Sequence, residues 1–138
     1  MAKVYNLFIS HSWAYGDAYD KLISMLDNKA FFEYRDYSVP KGDPIHKVGT
    51  DKQLADAIQR QMSPCHIVLI MAGVYSTYSK WINKEIKMAK EAFSVSKPIL
   101  AIRPWAQTKV STAVSHAADD FAGWNTDSIV SKIRELSL

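Results

Sequence analysis

Residues 66–73 read His66-Ile67-Val68-Leu69-Ile70-Met71-Ala72-Gly73. The apolar run Ile67–Met71 is short and does not alternate with polar residues. A strand of that pattern is buried on both faces, as in the centre of a parallel sheet covered by helices. Three further apolar runs of strand length stand around it: Val4–Ser10, Ala30–Arg35 and Pro98–Arg103. The four starts recur about every 30 residues, the length of one βα unit.

Helical patterns fill the intervals. Ala18–Asn28 carries Leu22, Ile23 and Leu26 at helical spacing, and Asp51–Met62 carries Leu54, Ala55, Ile58 and Met62. Tyr78–Phe93 has the clearest helical periodicity. A C-terminal helix starts near Asn125-Thr126-Asp127, which are good cap residues, and carries Ile129, Val130, Ile133 and Leu136. Between Arg103 and Trp124 the pattern weakens, and a short helix over Val110–Ala117 and a fifth strand near Phe121–Gly123 are expected there. Alternating β and α elements predict an α/β fold with a doubly wound, parallel sheet of four to five strands in a flavodoxin-like three-layer sandwich.

With 138 residues, 48% of them apolar and 22% charged, the chain fits one domain spanning 1–138 with an ordinary core. The net charge of +3 is spread between acidic residues and forms no basic stripe, so nucleic acid is not an expected partner. No apolar run approaches the ~20 residues of a membrane span, and Met1–Tyr5 enters a strand pattern without the apolar core of a signal peptide. A cytoplasmic protein is expected. Cys65, the only cysteine, has no disulfide partner; beside Pro64 and ahead of an apolar run it reads as a small buried hydrophobe. His11, His46, His66 and His116 are too dispersed for a metal site.

Two places invite chemistry. In flavodoxin-like sheets the strand order reverses between the first and third strands, leaving a crevice at their carboxyl ends. Ser10-His11-Ser12-Trp13 and Gly73-Val74-Tyr75-Ser76 would border it, offering hydroxyls, an imidazole and two aromatic rings to a ribose, phosphate or base. The long connection Asp36–Gly49, with Pro40, Gly42 and Pro44, forbids a regular helix and is either a functional loop or a surface excursion.

The second place is Glu85. Stepping ~100° per residue around Tyr78–Phe93 gathers Met88, Trp81, Ala92, Ala89, Ile82, Phe93 and Ile86 into an arc of roughly 160°, with Glu85 inside it. Lys80, Lys84, Lys87, Lys90 and Glu91 occupy the other side. None of those lysines stands three or four residues from Glu85, so local helix ion pairs do not explain it. A carboxylate on a core-facing stripe loses hydration that something must offset. Spacing leaves two roles open: a functional carboxylate at the crevice, or a structural one bonded to backbone groups or to an arginine such as Arg35 or Arg103.

These segments resemble TIR domains, specifically the bacterial TIR-like group of Thoeris-type antiphage defence. Leu7-Phe8-Ile9-Ser10-His11-Ser12 is similar to the family's opening box. Tyr34-Arg35-Asp36-Tyr37-Ser38-Val39-Pro40 is similar to its second strand and BB loop. Ser79-Lys80-Trp81-Ile82-Asn83-Lys84-Glu85 is similar to the Ser-x-Trp-x-x-x-Glu pattern that carries the catalytic glutamate of enzymatic TIR domains. The likeness runs from about Val4 to Arg134; a departure is Ile82, where many TIR domains have Cys.

The resemblance implies an NAD-processing enzyme that cleaves the nicotinamide–ribose bond. Its product would be an ADP-ribose-type signal, hydrolysed, cyclic or conjugated, that activates a separate effector protein. It assigns catalysis to Glu85, opening-loop contacts to Ser10, His11 and Ser12, and a gate to Asp36–Pro44. Taken with the crevice borders, the expected substrate contacts are Ser10, His11, Ser12, Trp13, Arg35, Asp36, Asp43, Tyr75, Ser76 and Trp81. NAD is substrate, with no cofactor and no metal, and TIR self-association is implied. A non-catalytic TIR adaptor or a nucleoside deoxyribosyltransferase-like enzyme would use the same fold. A phosphorelay receiver needs an Asp where Met71-Ala72-Gly73 stands, and a flavodoxin needs a Thr/Gly-rich first loop that is missing here.

Overall fold

The computed structural model of the chain describes residues 4–10, 16–37, 51–71, 80–102 and 117–137. Along the chain these form β1 (Val4–Ser10), α1 (Gly16–Asp27), β2 (Glu33–Asp36), α2 (Asp51–Met62), β3 (Ile67–Met71), α3 (Lys80–Glu91), β4 (Ile99–Ile102), β5 (Asp120–Ala122) and α4 (Thr126–Leu136). The five strands make one sheet in the order β2-β1-β3-β4-β5, with every neighbouring pair parallel.

The continuous apolar run is the middle strand, as its pattern demanded: Ile67, Val68, Leu69 and Ile70 are fully buried. Successive side chains in a strand point to opposite faces, so β3 feeds two cores. Leu7, Ile9, Ile67, Leu69, Leu100 and Ile102 meet Leu22 and Leu26 of α1 and Ile129, Val130 and Ile133 of α4. On the other face Phe8, Val68, Ile70, Ile99 and Ala101 meet Ile58 and Met62 of α2 and Ala89 of α3. The register keeps each face consistent across the sheet, pairing Leu7 with Ile67 and Phe8 with Val68, then Val68 with Ile99 and Leu69 with Leu100. The result is the expected three-layer α/β sandwich.

Several expected boundaries move. The second strand begins at Glu33 rather than Ala30. Phe31 sits at φ 60°, a left-handed conformation that a bulky residue rarely adopts and that no strand continues through. The Tyr78–Phe93 helix closes at Glu91, leaving Ala92 exposed beyond its end instead of on the apolar stripe. The fifth strand forms at Asp120–Ala122, and Asn125 caps α4 by accepting a hydrogen bond from the Ser128 N–H at 3.0 Å. The expected short helix over Val110–Ala117, apart from Ala117, and the long connection after Tyr37 lie outside the described residues. Among the described residues no helix is long and apolar enough to cross a membrane.

The amino ends of the inner strands are tied by polar contacts. The Asn6 N–H donates to His66 Nδ1 at 2.9 Å, joining β1 to the start of β3. Lys97 is only 8% exposed. Its Nζ donates to the carbonyls of Ser63 at 2.8 Å and Cys65 at 2.9 Å, and lies 4.7 Å from the Phe93 ring centroid. The Lys97 N–H donates to the Ala89 carbonyl at 2.8 Å, so one residue fastens the α2–β3 turn to the end of α3. Burial lowers the pKa of this ammonium, with the neighbouring Cys65 thiol opposing the shift. Cys65 is buried as expected, and its thiol donates to the Gln61 carbonyl at 3.4 Å. Burial pushes that thiol from 9.0 up to about 12; Lys97 works against the rise and Asp36 adds to it.

Replacing Lys97 by Ala leaves the buried Cys65 carbonyl and the partly buried Ser63 carbonyl without their charged donor and should cost about 1–3 kcal/mol, read from urea denaturation. The Cys65 thiol should resist Ellman's reagent until the protein unfolds. Its raised pKa also sets a pH dependence: the unfolded thiol ionises from 9.0 and the folded one only near 12, so stability falls as pH rises through that interval. Lys97 acts in the opposite sense, because below its ordinary 10.5 the unfolded chain holds a proton the folded one has released, and stability rises with pH. Cys65→Ala should therefore remove the downward component and leave stability rising with pH through Lys97, as measured by denaturation across the alkaline range.

Candidate active site

The strand order places β1 and β3 side by side while their following helices go to opposite faces, α1 to one and α3 to the other. This divergence opens a crevice beyond the carboxyl ends of the two strands. Ser10 closes β1 at that end and pairs with Ile70. His11, Ser12, Trp13, Asp43, Tyr75 and Ser76 lie outside the described residues.

Glu85 is where the helical spacing put it. It is 8% exposed, on the same stripe of α3 as fully buried Ala89, with Ile86 and Met88 half-buried beside it. Opposite, Lys87 and Glu91 are exposed, and Lys90 reaches Asp119 at 2.7 Å. Helix α3 starts at the crevice end of the sheet and runs back against the strands. Its Ala89 carbonyl is held by Lys97, two residues before β4 begins. Glu85 is one turn, about 6 Å, closer to the crevice than Ala89. Its Oε2 is closed off from solvent and accepts no hydrogen bond among the described residues, while the residue as a whole is engaged within the molecule. Trp81 stands one turn nearer still to the helix start, in the first turn of α3.

Arg35 and Asp36 are not brought to this place. Both are exposed on β2, the edge strand, with β1 between them and β3. Arg35 pairs with Asn6 and Asp36 with Leu7. They therefore lie four and three residues short of Ser10, about 13 and 10 Å below the carboxyl end of β1. Arg35 instead lines a shallow groove with Val4, Asp27, Phe32, Glu33 and Tyr34, toward the opposite end of the sheet. It makes no ion pair with Glu85, which removes one structural explanation for the buried carboxylate. Arg103 lies outside the described residues. The buried cation of Lys97 was not foreseen from sequence: it stands between Ser96 and Pro98, past the helix, where no periodic signal marks it.

A parallel sheet ordered 2-1-3-4-5, with a carboxylate buried on the helix that follows β3, defines a TIR-like α/β domain of the flavodoxin-like class. The model of one family, the TIR-like domain of the Thoeris protein ThsB, matches residues 8–109, well over half of the chain. The chain belongs to that family and so to the TIR-like domains of antiphage defence. No curated protein matches it. The matched span begins within β1, includes Glu85 and all of α3 and β4, and ends before β5 and α4.

Proposed function

We propose that the domain processes NAD, breaking the bond between nicotinamide and ribose, with Glu85 as the catalytic carboxylate. The observation that carries this reading is the burial of Glu85 on a helix face otherwise given to Ile86, Met88 and Ala89. A carboxylate kept in such surroundings at a cost in hydration is a candidate for a functional group. Membership of the Thoeris TIR-like family supports the reading.

One carboxylate suffices for this chemistry. Nicotinamide leaves as a neutral ring from a cationic one, so no acid has to protonate it. Positive charge grows on the ribose instead, as in the oxocarbenium-like state of glycoside cleavage. An anion held near C1′ or the ribose hydroxyls in a partly dry site stabilises that charge until water, or a nucleophile of the nucleotide itself, bonds to C1′ and releases a proton where it carries one. Ser10, His11, Ser12, Trp13, Tyr75, Ser76 and Trp81 would contact the nucleotide, with Asp43 on the gating loop. Arg35 and Asp36, on the edge strand, are left out of this set. NAD is the substrate and no separate cofactor is needed. The product, an ADP-ribose-type nucleotide, would act on a separate effector protein in the cytoplasm, and the domain would work in association with other copies.

Glu85→Gln keeps the side chain's shape and removes its charge. The variant should fold with little change in Tm and lose NAD turnover at least about a hundredfold, measured as nicotinamide release by concentrated protein with mass spectrometry of the products. Turnover close to wild type in that variant would favour a TIR module that acts by assembly alone.

A further inference from the structure

Strand β2 is an edge of the described sheet, and its charges of opposite sign stand on either side of Tyr34. Glu33 and Arg35 are both exposed, stand two residues apart and so share one face. Among the described residues neither side chain forms an ion pair or a hydrogen bond. Just before the strand, Phe31 holds a bulky ring 90% exposed on a left-handed backbone, with its carbonyl accepting from Arg134 at 2.9 Å. An exposed aromatic in a strained conformation invites a functional explanation.

We propose that β2 is a self-association surface, on which the β2 strands of two copies lie antiparallel about a two-fold axis through Tyr34. Charge selects this register. When two identical strands extend one sheet, facing residues must share a face, so the axis has to pass through a residue. An axis at Glu33 sets Glu33 against itself, one at Arg35 sets Arg35 against itself, and one at Asp36 sets Asp36 against itself. The axis at Tyr34 sets Glu33 against Arg35 of the second copy, twice. Opposite charges facing across strands are favourable and like charges unfavourable.

The backbone direction agrees with this register. The Tyr37 N–H donates to Leu7 of β1 at 2.8 Å, so alternate residues, Tyr34 among them, turn their peptide groups outward. Tyr34 is a rigid pivot, with its hydroxyl donating to Asp27 at 2.7 Å and its ring 5.8 Å from that of Phe32. Charges on an edge strand commonly discourage pairing. Here one register satisfies them, and the pairing is carried by Glu33 and Arg35.

This surface is independent of the catalytic reading, because its readout is mass and not turnover. Sedimentation velocity of the full chain over a concentration series should show a monomer–dimer equilibrium that weakens with salt. Glu33→Arg and Arg35→Glu should each weaken dimerisation about tenfold or more, and the double variant, which exchanges the two charges, should restore it. Should a single variant fail to fold, Arg35→Gln, which removes one attraction without adding repulsion, is read in its place and should weaken the dimer by less. A wild-type protein that stays monomeric throughout, single variants that dimerise as wild type, or a double variant no better than the singles would each overturn the proposal.

Discussion

Burial of the inner strands on both faces is the constraint from which the rest of the molecule follows. Ile67–Ile70 and Ile99–Ile102 are fully buried, and each Ile, Val or Leu side chain among them contributes about 1.5–3 kcal/mol when taken out of water. That gain is available only if helices cover both faces, because a bare face would expose half the residues of every strand. The crossover helices are therefore drawn to alternate sides, α1 and α4 to one and α2 and α3 to the other. Once both faces are closed, the strand ends and the two edges of the described sheet are the places left for a ligand or partner among the described residues.

Within that arrangement Glu85 is an exception the packing does not call for. A helix covering β3 and β4 needs an apolar stripe, and Ala89 supplies it one turn away. Leu or Met at position 85 would serve the layer better, since a carboxylate loses hydration there. Lys97 is also a buried charge, yet its case differs. Its ammonium is matched by the carbonyls of Ser63 and Cys65 at the closed end of the sheet, where it joins two turns. Lys97 joins turns at the closed end of the sheet, whereas Glu85 stands on the helix that rises to the open end.

Much of this was legible in the sequence, for a physical reason. The run Ile67–Met71 announced a two-faced strand because burial on both sides removes the alternation that a half-exposed strand keeps. The inward turn of Glu85 was legible because a helix repeats its geometry at every residue, so neighbours reveal the direction of one side chain. The start of β2 was not. Ala30, Phe31 and Phe32 look like strand residues, and only the backbone shows that Phe31 turns into the left-handed region and faces water while Phe32 goes inside. Lys97 was hidden because its partners are 32 and 34 residues away in the chain. The crevice loops follow no period, so His11–Trp13 and Tyr75–Ser76 were legible only by their place after β1 and β3, where the strand order reverses, and not from any pattern of their own.

The displacement of Arg35 and Asp36 from the crevice separates two uses of the same fold. Position along a strand fixes how far a residue stands from the carboxyl end, and pairing with Asn6 and Leu7 holds these two well below it. Position across the sheet fixes what else they can meet, and on β2 that is the space beyond the edge. A short strand of four residues with one half-buried side chain adds little to either core. Its exposed residues can therefore change with small effect on folding, which leaves Glu33 and Arg35 free to answer to something outside the protomer. Chemistry and association would then occupy different borders of one sheet, the first at its carboxyl end and the second along its side.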